Sequence, residues 1–89
     1  YQLQVIYTPG HTKGGCCFYE ANEKVCFTGD TLFRGGVGRT DLYGGNYSVL
    51  MHSIRDRLHK LPDDVIIYPG HGPESTMAFE RKNNPFLKG

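Results

Sequence analysis

The stretch Val25-Cys26-Phe27-Thr28-Gly29-Asp30-Thr31 decides how this chain reads. Its apolar run of β-branched, aromatic and thiol side chains suits a short buried strand. Gly29 stops the run with a residue free to turn sharply, and Asp30 then presents a carboxylate at the strand end. Two other stretches repeat the plan with histidine. Val5-Ile6-Tyr7-Thr8-Pro9-Gly10-His11 and Val65-Ile66-Ile67-Tyr68-Pro69-Gly70-His71 are near copies of one another. In each, proline ends strand pairing because it has no N–H, glycine permits a bend, and a histidine is projected from the C-terminal end. Two imidazoles and one carboxylate at three strand ends are groups that a borderline divalent cation such as zinc takes as ligands. A single histidine after Pro-Gly is ordinary loop chemistry. The repetition, with an aspartate in the third position, brings metal ligation level with that plainer reading. A carboxylate can also bridge two ions, and a two-metal site supplies a water whose pKa is drawn toward ~7.

With 89 residues there is room for one domain, and a core built from so short a chain is modest. The formal net charge of +1 argues against a nucleic-acid or membrane-surface partner. No apolar run approaches the ~20 residues of a membrane span, and no signal-peptide pattern is present. Cys16, Cys17 and Cys26, odd in number and set in strand-like runs, read as reduced thiols of a cytoplasmic protein. There is no Cys-x-x-Cys pair, which excludes a zinc finger. The chain starts at Tyr1 and enters an apolar strand almost at once, as a piece of a longer protein does.

Taken in order, strands are expected over residues 3–7 and 16–19, then a polar hairpin connection over 21–24, then the strand ending at Asp30. A long glycine-rich loop should follow over 34–46, a length that points to function or disorder. Asn46 is a good N-cap, and Tyr47, Leu50, Ile54, Leu58 and Leu61 recur as one apolar helical stripe that Pro62 ends. A strand over 65–68 and a short helix over about 75–82 complete an α/β layer pattern, with the sheet needing helical cover.

Other candidates read more plainly. His52 and His59, with Asp56, fall opposite the apolar stripe and belong to a solvated face. Gly35-Gly36-Val37-Gly38-Arg39 lacks the Gly-Lys-Ser/Thr ending of a phosphate loop, and no helix follows it directly. Arg34 and Arg39 are candidate hands for a substrate carboxylate, since guanidinium forks onto carboxylates. Cys16 and Cys17 point to opposite faces of a strand, and no base in sequence activates either as a nucleophile.

Four motifs give the chain a family likeness: Thr8-Pro9-Gly10-His11-Thr12, Phe27-Thr28-Gly29-Asp30-Thr31-Leu32-Phe33, Gly38-Arg39-Thr40-Asp41 and Tyr68-Pro69-Gly70-His71-Gly72-Pro73. Together with Glu80-Arg81 and Asn84-Pro85-Phe86-Leu87, they resemble the metallo-β-lactamase superfamily, and within it the short glyoxalase II-like hydrolases. The resemblance covers nearly the whole chain, in the expected motif order. It implies a mixed α/β fold: the C-terminal half of an αββα sandwich domain, spanning residues 1–89, as a mixed sheet with helices on one face. It further implies two divalent metal ions, zinc foremost with iron or manganese as alternatives. His11 would hold the first, His71 the second, and Asp30 would bridge them as the catalytic carboxylate. In such enzymes a metal-bridging hydroxide attacks a small-molecule thioester of the hydroxyacylglutathione kind, and Arg39 falls where a basic residue holds the glutathione moiety.

Three departures qualify that likeness. The family's His-x-His-x-Asp-His motif is absent, since histidines stand only at 11, 52, 59 and 71. Gly72-Pro73 follows His71 where glyoxalase II carries a glutathione-binding tyrosine, and Lys13 stands where proline is common. Two alternatives therefore stay open: a mono-iron enzyme of the persulfide dioxygenase kind, and a non-catalytic half-domain. Half a sandwich exposes a sheet face and an edge, which invites a homodimer or pairing with the missing N-terminal half.

Overall fold

The apolar runs assemble into one five-stranded sheet in the computed structural model, which describes residues 3–41 and 45–87. In chain order the strands are β1 (Gln4–Tyr7), β2 (Cys16–Glu20), β3 (Val25–Gly29), β4 (Leu32–Phe33), β5 (Gly36–Val37), β6 (Ile66–Pro69) and β7 (Ser75–Thr76). The sheet runs β1-β2-β3-β6-β7, while β4 and β5 form a separate two-stranded hairpin. β1 pairs antiparallel with β2, β2 antiparallel with β3, and β3 parallel with β6. β1, β3 and β6 therefore all run the same way, and their C-terminal ends share one edge of the sheet. The β2–β3 connection turns at Lys24, whose φ of +56° is the left-handed conformation a tight hairpin end needs.

Alternation along each strand separates two faces. Cys17, Cys26 and Ile67 are fully buried and join Leu32, Leu50, Ile54, Leu58, Val65 and Met77 in a single core, with Ile6, Tyr19 and Val37 packed against it. Fully burying a side chain such as Ile54 stabilises by about 1.5–3 kcal/mol. The opposite face stays open. Val5, Phe18, Phe27 and Tyr68 stand side by side across four strands, 60%, 39%, 45% and 38% exposed. Phe27 and Tyr68 stack with ring centres 5.7 Å apart. The strand expected to be buried throughout is thus buried on one face only, because helices cover only that side.

Helix α1 (Tyr47–Ser53) starts at the expected cap: the Asn46 carboxamide accepts the Val49 N–H at 3.0 Å. It continues as a π-helical turn, Ile54–Leu58, closed by the His59 N–H on the Ile54 carbonyl at 2.8 Å. The apolar stripe survives this widening at Leu50, Ile54, Leu58 and Leu61, but Tyr47 lies outside it. Its ring is half-exposed and meets Phe86 edge-on at 6.4 Å. Arg81 secures the end of the turn by donating to the His59 and Leu61 carbonyls and to Asp63.

Two further expectations are corrected. The last helix, α2 (Met77–Asn83), begins later than expected, because Ser75 and Thr76 pair with Ile67 and Ile66 as β7 before Thr76 caps the helix. The glycine-rich loop over 34–46 is ordered at its start, where Gly36 and Val37 pair with Phe33 and Leu32 ahead of it. Gly44, also assigned to that loop, lies outside the described residues.

Candidate metal centre

Because β1, β3 and β6 share a direction, the turns that follow them meet at one edge of the sheet. The parallel neighbours β3 and β6 do this directly: the Gly70 N–H donates to the Gly29 carbonyl at 2.8 Å, and Asp30 Oδ1 then lies 3.0 Å from His71 Nε2. His11 has farther to come, because β2 lies between β1 and β3 and two strand spacings amount to about 9–10 Å. The turn after β1 is folded in by the Thr8 N–H on the Gly15 carbonyl at 2.9 Å and the Asn46 N–H on the Gly10 carbonyl at 2.6 Å. Gly10 has φ +141°, and a Cβ there would lie 2.2 Å from the Leu50 Cα. Only glycine lets this turn press against α1. The result places His11 Nε2 3.8 Å from Asp30 Oδ2.

The backbone orients these side chains. His11 Nδ1 is 2.7 Å from the Arg39 carbonyl. A carbonyl only accepts, so Nδ1 carries the proton, and Nε2 is the nitrogen turned toward Asp30. Below Asp30, the Thr31 N–H donates to the Thr28 carbonyl at 2.9 Å, and the Thr28 hydroxyl donates to the Leu32 carbonyl at 2.7 Å. The Thr8 and Thr31 hydroxyls meet at 3.2 Å, tying the His11 arm to the Asp30 arm in the buried layer beneath.

Above them lies a cleft of about 360 Å³ lined by His11, Asp30, Phe33, Val37, Arg39 and His71. The structure thus brings together the three candidate ligands and Arg39, one of the two arginines singled out in the sequence. Phe33 and Val37, which were not singled out, form the apolar wall, and the Phe33 ring centre is 6.0 Å from that of His71. Their signal was present in the run Asp30-Thr31-Leu32-Phe33, but only the hairpin folds it back over the turn. Arg39 lies at the rim in a forked pair with Asp41, at 2.9 and 3.2 Å. That guanidinium holds the Asp41 carboxyl below the usual carboxylate range. Arg34 points elsewhere, with its guanidinium 4.5 Å above the Phe79 ring. His52 pairs with Asp56 at 3.0 Å on the solvated face, as expected.

Two ligands on one tetrahedral ion with bonds of about 2.1 Å stand about 3.4 Å apart. The 3.0 and 3.8 Å separations from Asp30 to the two imidazoles bracket that value. Each Asp30 oxygen faces a different imidazole, so the donor set suits a carboxylate shared between two divalent ions. It is a partial set: among the described residues, no three His, Cys, Asp or Glu side chains close around one ion.

The cysteines stand apart from this edge. Cys17 and Cys26 are fully buried between the sheet and α1, and Cys16 is half-buried. The hydrogen bond to Cys17, reinforced by burial, pushes the Cys26 thiol up.

The chain belongs to the metallo-beta-lactamase superfamily, whose sequence profile matches residues 2–71. It is 48% identical over 87 residues to the hydroxyacylglutathione hydrolase GloC of Haemophilus influenzae, covering 98% of this chain and 41% of that protein. It is similar to the crystal structure of BLEG-1, a B3 metallo-beta-lactamase, with TM-score 0.94 and 44% identity over 98% of this chain and 42% of the other. The crystal structure of TTHA1623 in a di-iron-bound form matches with TM-score 0.91 and 45% identity, over 96% and 42%. The chain therefore spans about two fifths of the length of these relatives. No helix among the described residues is long and apolar enough to cross a membrane.

Proposed function

We propose that this chain carries one part of the centre of a dinuclear metal hydrolase acting on small thioesters of the hydroxyacylglutathione type. The observation that carries the proposal is Asp30, whose two oxygens face two imidazoles delivered by strands of common direction. In this reading His11 would hold one ion and His71 the other, with Asp30 shared between them. A pair of divalent ions, zinc foremost and iron or manganese as alternatives, supplies an activated water near neutral pH and polarises a carbonyl. The likeness to GloC supports the thioester class, and the di-iron relative keeps iron among the alternatives.

The remaining groups do recognisable work in this reading. Phe33 and Val37 keep the cleft wall dry, which strengthens every charge interaction within it. Arg39 exchanges Asp41 for a substrate carboxylate, because its guanidinium already stands in a forked carboxylate pair. The missing ligands come from a second structural half, which docks on the open face of Val5, Phe18, Phe27 and Tyr68. This half is the rest of the domain or, for the isolated 89-residue chain, a second copy. The three reduced cysteines suit a cytoplasmic protein.

The test is metal content and hydrolysis in the full natural protein and in the 89-residue chain. The full protein should hold about two ions and hydrolyse hydroxyacylglutathione, while Asp30→Ala should lose both properties. The isolated chain should be inactive and should self-associate in sedimentation. Wild-type metal content and hydrolysis in Asp30→Ala would overturn the proposal. Oxygen uptake with a glutathione persulfide would favour the mono-iron dioxygenase instead.

A further inference from the structure

The β4–β5 hairpin supplies the apolar wall of the cleft, Phe33 and Val37, yet it is too small to hold itself in place. Each strand has two residues, joined by Arg34 and Gly35, and an isolated hairpin even several times longer is only marginally stable in water. Its position must be set from outside. The anchor is polar and buried. Glu80, on α2, is fully buried, and its partners are neutral donors. The Gly35 N–H reaches Oε1 at 3.0 Å, the Asn84 carboxamide reaches Oε1 at 2.8 Å, and the Ser75 hydroxyl donates to Oε2. Asn84, also fully buried, donates to the Gly36 carbonyl at 3.1 Å and accepts the Phe86 N–H at 2.9 Å. A buried carboxylate without a cation is costly unless donors surround it, so an apolar residue would serve better if filling space were the only task.

The hairpin's exit leads straight to His11. The Gly38 N–H donates to the Thr31 carbonyl at 3.0 Å, and the next carbonyl, that of Arg39, accepts His11 Nδ1 at 2.7 Å. Gly38 is packed so closely that an added Cβ would lie 1.9 Å from the Asp30 carbonyl oxygen and 3.2 Å from His11 Cβ. A displaced hairpin therefore moves the group that selects the His11 tautomer. We infer that Glu80 and Asn84 are positioning residues that act through this hairpin to hold His11 with Nδ1 on the Arg39 carbonyl and Nε2 turned toward Asp30.

Imidazole ¹⁵N spectra of the metal-free full natural protein test this directly, with zinc affinity measured alongside. The wild type should show His11 in a single state with its Nδ1 proton held on the Arg39 carbonyl. Glu80→Ala should give an averaged pattern at His11, leave His71 unchanged, and weaken zinc binding about 10–100-fold, the usual range when a ligand's orienting partner is lost. Glu80→Gln keeps an acceptor for the Gly35 N–H and should restore the wild-type spectrum, which a loss of folding stability alone would not explain. If Glu80→Ala does not fold, Asn84→Ala carries the same expectation, because it cuts the Gly36 side of the anchor and leaves the Gly35 N–H on Glu80. Should neither fold, amide exchange in the unmodified protein decides: Gly35 and Gly38 should open together. A folded variant with the wild-type His11 tautomer, or Gly38 exchanging far faster than Gly35, overturns the inference. The inference rests on the ligand reading of His11 only for its zinc arm. A changed tautomer with unchanged zinc affinity would support the positioning and refute His11 as a ligand.

Discussion

Adding one methyl group at Gly38 should damage the fold and the candidate metal centre together. The Cβ of Gly38→Ala would stand 1.9 Å from the Asp30 carbonyl oxygen, about 1.5 Å short of the 3.4 Å at which ordinary contact begins. The obstructing atom is backbone, so no side-chain rotation relieves it. Either the Asp30 turn or the hairpin exit must shift. An overpacked site of this kind typically costs ~1–3 kcal/mol, and losing the Gly38 to Thr31 hydrogen bond adds ~0.5–1.5, so a total of about 2–4 kcal/mol is expected. The same shift separates Asp30 from His11, and zinc affinity should fall about 10–100-fold. Gly36→Ala is the control, because its Cβ meets nothing within 4 Å in the same hairpin. It should stay within about 0.5 kcal/mol of the wild type. Urea unfolding of the metal-free full natural protein, followed by calorimetric zinc titration, reads both quantities. If Gly38→Ala matches Gly36→Ala in stability and in zinc affinity, the packing argument at this turn is wrong.

Gly10→Ala meets the α1 backbone at Leu50 and needs φ +141°, so urea unfolding should show a loss of about 2–5 kcal/mol. Gly14→Ala, whose Cβ meets nothing within 4 Å, should change stability by less than about 0.5 kcal/mol. Arg81→Ala removes the donor shared by the His59 and Leu61 carbonyls and Asp63, and should destabilise by about 2–4 kcal/mol. Arg81→Lys should recover less than half of that loss, because its donors sit on one nitrogen, whereas two guanidinium nitrogens reach these acceptors. Among the thiols, only half-buried Cys16 should react promptly with a disulfide reagent at neutral pH. Cys17 is sealed by burial, and Cys26 is sealed and also has its thiol pushed up. Release of more than one equivalent of thiol from the folded protein would contradict that picture.

The sequence alone determined the strand-end chemistry of this protein. Pro-Gly-His after two apolar runs and Gly-Asp after a third are local codes: proline ends pairing, glycine bends, and the next side chain projects. The Asn46 cap and the stripe of Leu50, Ile54, Leu58 and Leu61 were legible for the same reason, since capping and helical periodicity act over a few residues. Tertiary structure alone decided that the three ends meet. Residues 11, 30 and 71 become neighbours because β1, β3 and β6 share a direction, and strand direction is set by pairings between distant segments. Long-range contacts also replaced the first turn of the last helix with β7, left Tyr47 outside the core, and folded Phe33 and Val37 into the cleft wall. The buried Glu80–Asn84 anchor was hidden for the same reason. Its partners Gly35 and Gly36 lie more than forty residues away in sequence, and only the packed α2 brings the carboxylate beneath them.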